Sequence, residues 1–264
     1  MDTQPPSPLR FPYHICIEGI DGIGKTTLLH SLKAYFEERG KKVFVTKEPG
    51  IMEVPVTMEL RKIMLDKAYD SQLPPLAREY IAQAIRVASI SYLHEHILYT
   101  SSNQADGYDI ILQDRGLLSG ISYALAMGIS SNDVLNLLDM TTNPKQYKQP
   151  QDYKVTPIPY DMIVHLSPSD EEGVALALMR ARTAKKEFQQ GDVMESKSIE
   201  FTKQVDSNFK NWRRVLKDKS KKALNLVEIT IDPKSSSRLV FESTLLAIRK
   251  DLISNHVLPA PQCQ

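Results

Sequence analysis

Short apolar runs alternate along the chain with longer stretches of helical periodicity. YHICIE (13–18), KVFVTK (42–47), DIILQD (109–114), YDMIVHL (160–166) and LNLVEITI (224–231) have the length of buried strands. The unbroken apolar centre of the third suits burial on both faces. GKTTLLHSLKAYFEERG (24–40) sets Leu28, Leu29, Leu32 and Phe36 on one helical face and stops at Gly40. Further helices are predicted at about 57–66, 74–99, 116–139, 170–188, 197–217 and 237–254.

This alternation predicts an α/β fold, with a five-stranded parallel sheet covered by helices on both faces. Ligands in such sheets bind outside the carboxyl ends of the strands. Gly19–Thr27, Lys47–Gly50 and Asp114–Tyr123 fall there. One segment departs from the alternation: MTTNPKQYKQPQDYKVTPIP (140–159) is polar and proline-punctuated, and reads as a surface insertion. The organisation is therefore a proline-rich flexible arm (1–12), one domain (13–255) carrying the insertion, and a tail (256–264).

Composition narrows the classes. A net charge of +1 over 264 residues gives no global attraction to nucleic acid or an anionic membrane. No apolar run approaches the ~20 residues of a membrane span. The arm disfavours a signal or transit peptide. Cys16 and Cys263 have no metal-site or disulfide spacing, which fits a reducing, cytoplasmic compartment.

The chemistry concentrates in CIEGIDGIGKTTLL (16–29), where Gly19 to Thr26 match G-x-x-x-x-G-K-[ST] between a strand and a helix. Gly19, Gly22 and Gly24 let the backbone wrap an anion. The N–H groups of Asp21, Ile23, Lys25, Thr26 and Thr27 and the helix N-terminus supply positive polarity. Lys25 suits the β- and γ-phosphates of ATP, and the Thr26 hydroxyl suits Mg²⁺. A plain glycine turn before an ordinary helix leaves this joint pattern unexplained.

Four blocks, CIEGIDGIGKTTLL, VFVTKEPG, AIRV and DRGLLSGISYA, resemble the thymidylate kinases in order and spacing, and YDMIVHLSPSDEEGVALALMRAR looks like that family's fourth strand and the start of its lid. The resemblance runs from about residue 13 to 215. It implies the P-loop nucleoside monophosphate kinase fold, a homodimer, small nucleotide substrates, and Mg²⁺-dependent transfer of the ATP γ-phosphoryl group to a deoxynucleoside monophosphate, dTMP by preference. By resemblance Arg115 and Arg86 hold the acceptor's phosphate and base, and the Glu48-Pro49 turn borders it. Asp21 contacts the acceptor 3′-hydroxyl and metal. Tyr123 packs on the sugar, and Ser119 and Gly120 line the base. Asp114 orients Arg115 or reaches Mg²⁺ through water.

The residues also depart from the family pattern. The turn carries Ile20 and Ile23 and no arginine, so Arg180 and Arg182, in the basic lid RARTAKKEFQQGDVMESKS (180–198), are expected to supply catalytic charge. Lys47 stands for an arginine, Ile51-Met52 for a small turn, Ala82 for the aromatic that stacks on thymine, and Gly116 for the tyrosine of D-R-Y. Tyr80 is two residues from Ala82, about 200° away on a helix. Two other readings stay open: a deoxynucleoside kinase using Glu48 as base on a 5′-hydroxyl, and a nucleotide-binding module without transfer.

Overall fold

The computed structural model describes residues 11–98, 107–141, 160–184, 187–188, 192–219 and 225–259. Most of the arm, the insertion from 142 on, Lys185, Lys186 and Cys263 lie outside them. The sheet has five parallel strands in the order β2-β3-β1-β4-β5. They are β1 (Tyr13–Glu18), β2 (Val43–Lys47), β3 (Ile110–Asp114), β4 (Met162–Pro168) and β5 (Asn225–Ile231). All five follow the apolar runs. The three central strands are buried on both faces, apart from the half-buried last residue of β3, whereas β5, at an edge, exposes Glu228 and Thr230.

Helix α1 (Lys25–Glu37) buries Leu28, Leu29, Leu32 and Phe36, the face its spacing predicts. It packs on α8 (Ser237–Ser254), with the Tyr35 and Phe241 rings edge-on at 5.9 Å. Helices α2 (Pro55–Leu65) and α3 (Pro75–Tyr92) pair with each other, and each begins with the proline that its first turn tolerates. A short π-helical turn, Leu93–Leu98, completes the helix read as 74–99.

The single helix expected over 116–139 is two. α4 (Leu117–Ala126) ends at Gly128, whose φ of 88° is left-handed, and α5 (Ser131–Thr141) restarts behind Ser130. Ser130 Oγ accepts from Asp133 N at 3.2 Å, as an N-cap does. α6 (Glu171–Thr183) and α7 (Ile199–Lys219) follow β4, and α7 packs on α4, where Asn208 Nδ2 donates to Ser122 O at 3.0 Å.

Register sets the site. Ile17 and Lys47 both pair with Asp114, so β1, β2 and β3 end level and release their loops together. Glu48 N donates to Asp114 O and Arg115 N to Ile17 O, each at 2.9 Å, which stitches the three loop starts.

Candidate active site

The glycine turn folds as its residues require. Gly19, Gly22 and Gly24 have φ of 145°, 74° and 106°, a region that side chains disfavour. Gly22 also lies against α6, where a Cβ would stand 1.9 Å from Ala177 O. Ile20 and Ile23 point into the core, so the turn presents backbone and not side chain to its ligand. Lys25 Nζ donates to Ile20 O at 2.8 Å, closing the loop on itself. Burial and the charge of Arg115 push the Lys25 amine down to about 8.

An open cavity of about 590 Å³ spans Asp21–Leu28, Asp114, Arg115 and Arg180. The first N–H groups of α1 have no helical acceptor and face a site suited to phosphates. Thr26 Oγ1 donates to Asp114 Oδ2 at 2.9 Å, while Asp114 Oδ1 is buried with no hydrogen-bond partner. That orphaned oxygen beside a hydroxyl suits a hard divalent cation, which binds through oxygen.

A second cavity, about 130 Å³, lies next to the first and contains Glu48, Pro49, Arg86, Ser119, Gly120 and Tyr123. Asp21 and Arg115 line both. Arg115 donates through Nη2 to Asp21 Oδ1, and through Nη1 to Gly19 O at 3.1 Å and Ser119 Oγ at 3.3 Å. Tyr123 donates to Asp21 Oδ2 at 2.6 Å. Burial alone would raise the Asp21 carboxyl; Arg115, Lys25 and Tyr123 outweigh it and hold it down to about 2. Arg115 has φ 67°, so its guanidinium reaches this wall from a backbone conformation few arginines adopt.

Arg86 is fully enclosed between Glu48 Oε2, at 3.1 Å from Nε and 2.9 Å from Nη2, and Gln83 Oε1, 2.8 Å from Nη1. A Cβ at Gly120 would come 2.5 Å from Arg86 Nη2, which explains the glycine there. Glu48 is thereby engaged by arginine, the opposite of a free base. Of the two lid arginines, Arg180 lines the larger cavity. Arg182 turns away, donating to Glu195 O at 3.2 Å and Lys197 O at 2.7 Å, and lines neither cavity.

The departures have local explanations. Ile51 is buried beside Phe44 and Leu93, and Met52 points to solvent, so their bulk stays out of the site. Lys47 is absent from the smaller cavity, and Arg61 of α2 is there instead, donating to Pro49 O at 2.8 Å and pairing with Glu187 through Nε and Nη2. Gly116 leaves room for Tyr160, whose hydroxyl accepts from Leu117 N at 3.2 Å; a Cβ there would stand 2.2 Å from that hydroxyl. Ala82 borders the cavity while Tyr80 is 58% exposed, leaving Tyr123 as the one ring among the described residues lining it.

Sequence reasoning missed Arg61, Glu79 and Glu18. Glu18, at the end of β1, is fully buried and accepts from Leu118 N at 3.1 Å, Ser119 N at 3.3 Å and Ser119 Oγ. It anchors the start of α4, which carries Ser119, Gly120 and Tyr123. Burial raises its carboxyl to about 7, against the opposing Ser119 hydroxyl and Arg115 charge. The carboxylate within CIEG was visible in the sequence; its partners, about a hundred residues on, were not.

The thymidylate kinase family matches residues 17–147 of this chain. The chain is 28% identical over 205 residues to a thymidylate kinase of Caldicellulosiruptor saccharolyticus, covering 77% of this chain and 84% of that one. It is 29% identical over 125 residues to one from Acinetobacter baumannii, spanning 47% of this chain and 58% of that one. The solved structure of a thymidylate kinase from Candida albicans superposes with a TM-score of 0.60 at 20% identity, covering 96% of this chain and 97% of the other. That agreement extends the shared fold across the full α/β sheet.

Proposed function

We propose that this chain, whose residues 17–147 match the thymidylate kinase family, transfers the γ-phosphoryl group of ATP to dTMP, forming dTDP and ADP. The observation that carries this reading is the wall shared by the two cavities: Asp21 and Arg115 stand between a phosphate-binding turn and a smaller pocket that also holds Arg86 and Tyr123. Two bound polyanions meeting there would align for direct in-line displacement.

An oxygen of the acceptor phosphate forms the new bond to the γ-phosphorus. The bond to the β,γ-bridging oxygen breaks, and its electron pair leaves with ADP. The attacking oxygen is already anionic, so no protein base is required, in accord with Glu48 being engaged by Arg86. Lys25 draws charge toward the leaving β-phosphate, Arg115 and Arg86 hold the acceptor, and Arg180 adds charge from the lid. Tyr123, fixed on Asp21, packs on the sugar, and Glu48-Pro49, Ser119 and Gly120 close around the nucleotide. Mg²⁺ held by Thr26 and Asp114 would neutralise the β- and γ-oxygens.

The outward stripe of α3, with Leu76, Ala77, Tyr80, Ala84 and Val87, carries no charge; we assign it to a homodimer contact. A reducing cytoplasmic setting accords with the buried free thiol of Cys16. Among the described residues no helix is long and apolar enough to cross a membrane. The direct test is Lys25→Ala, assayed by chromatographic separation of dTDP. Turnover should fall by ~10³-fold or more with the fold intact; wild-type turnover in this variant contradicts the mechanism.

A further inference from the structure

The acceptor cavity contains a carboxylate that the reaction above does not use. Glu79, Ala82, Gln83 and Arg86 share one face of α3, by their helical spacing. Glu79 and Ala82 border the acceptor cavity only, on a part of its wall not shared with the phosphate-binding turn. Glu79 is 3% exposed, and its neighbours there include Met64 and Leu65.

One oxygen of Glu79 is fixed. Gln83 Nε2 donates to Oε1 at 2.5 Å. The orientation of that amide is set by its other end, where Gln83 Oε1 accepts from Arg86 Nη1 and Thr141 Oγ1, both at 2.8 Å. Turning the amide would break the bonds to Glu79 and Arg86. Glu79 Oε2 has no hydrogen-bond partner among the described residues. Glu79 lines the cavity, so a donor bound there can reach this oxygen. Burial and the nearby charge of Glu48 push the Glu79 carboxyl up, a push that the Arg86 charge and the Gln83 N–H oppose in part.

Resting on the reading of this cavity as the monophosphate site, we propose that Glu79 determines base specificity by accepting a ring N–H from the base through its free oxygen. Thymine, uracil and guanine carry such an imino N–H. Cytosine and adenine present a ring nitrogen lone pair at the same edge, which a carboxylate repels. Because Ala82 supplies no stacking ring, the choice of base depends on this hydrogen bond more than on an aromatic wall.

Glu79→Gln is the informative variant. Its carbonyl still accepts from Gln83, while its amide NH₂ replaces the free oxygen and turns an acceptor into a donor. Initial rates at saturating ATP and Mg²⁺ are measured for wild type and variant with dTMP, dUMP, dGMP, dCMP and dAMP. Affinity for ATP and the melting temperature are checked in parallel. The kcat/KM ratio of dTMP to dCMP should fall by on the order of 100-fold in the variant, with the loss on dTMP mainly in KM and a gain on dCMP. Glu79→Asp, which keeps the charge but withdraws it from the base, should raise KM for dTMP without favouring dCMP; it serves if the glutamine variant does not fold. Unchanged base ratios in a folded Glu79→Gln overturn the assignment of Glu79 while leaving the acceptor site standing. Absence of product from every monophosphate with the wild-type protein overturns the acceptor-site reading itself, and the assignment with it.

Discussion

Replacing Arg115 with alanine removes one of the two side chains common to both cavities. Its guanidinium gives up bonds to Asp21, Gly19 O and Ser119 Oγ, and Asp21 keeps only Tyr123 as a donor. The Arg115 side chain is 16% exposed and that of Asp21 34%, so water recovers part of what is lost at the carboxylate. A full buried ion pair broken on one side costs about 3–5 kcal/mol; with that partial solvation the expected loss is about 2–3 kcal/mol. For a domain of this size that lowers Tm by about 4–12 °C. Activity should suffer more, because the acceptor phosphate loses its forked cation: about 10²–10³-fold in kcat/KM for dTMP. The backbone provides an internal control. At φ 67° alanine is as strained as arginine, whereas glycine is not. Arg115→Gly should therefore melt no lower than Arg115→Ala, reversing the usual order, with activity equally low. Thermal melts and a coupled ADP-release assay measure both. An alanine variant with kcat/KM within threefold of wild type would refute the role of Arg115, and a glycine variant clearly less stable than alanine would refute the strain argument.

Gly22→Ala should separate two kinds of glycine in the turn. Its Cβ would stand 1.9 Å from Ala177 O, so α6 must retreat by more than an ångström and carry Arg180 with it; ATP affinity and kcat/KM should each drop by ~100-fold. Gly24→Ala meets no atom within 4 Å and should show only the ~1–2 kcal/mol of its left-handed backbone in a denaturant titration. Glu18 makes stability depend on pH: its carboxyl sits at about 7 in the fold against an ordinary 4.5, so the folded state binds the proton more tightly and stability falls as pH rises from about 4.5 to 7. The penalty is about 3 kcal/mol above that window. Glu18→Gln should accordingly lose less Tm than wild type between pH 5 and pH 8, and parallel curves would refute this.

The sheet was legible because each strand is a compact apolar run bounded by turn residues, and the donor site because its parts are contiguous from Gly19 to Thr27. The break between α4 and α5 was missed although its signal was local. Apolar periodicity continues through Met127, Gly128 and Ile129, and it masked the left-handed glycine and the Ser130 cap. The acceptor site was legible only in part. Asp21, Arg86, Arg115 and Tyr123 were identified through family motifs, and the fold brings them together. Arg61 was not, because its role depends on Pro49, on Glu187 and on Lys47 lying outside the cavity, none of which local spacing encodes. Glu79 sits seven residues before Arg86, two helical turns on the same face, a signal the sequence did contain. Arg182 shows the converse: a basic residue two positions from Arg180 is directed by the helix to carbonyls on another side.

The most direct test of the account is diphosphate formation by the purified protein with ATP and Mg²⁺, offered dTMP, dUMP, dCMP, dGMP, UMP and thymidine in parallel. The account predicts product from monophosphates carrying an imino N–H, dTMP foremost, and none from thymidine. Product from thymidine alone, or no product from any acceptor by a protein that binds ATP, would contradict it.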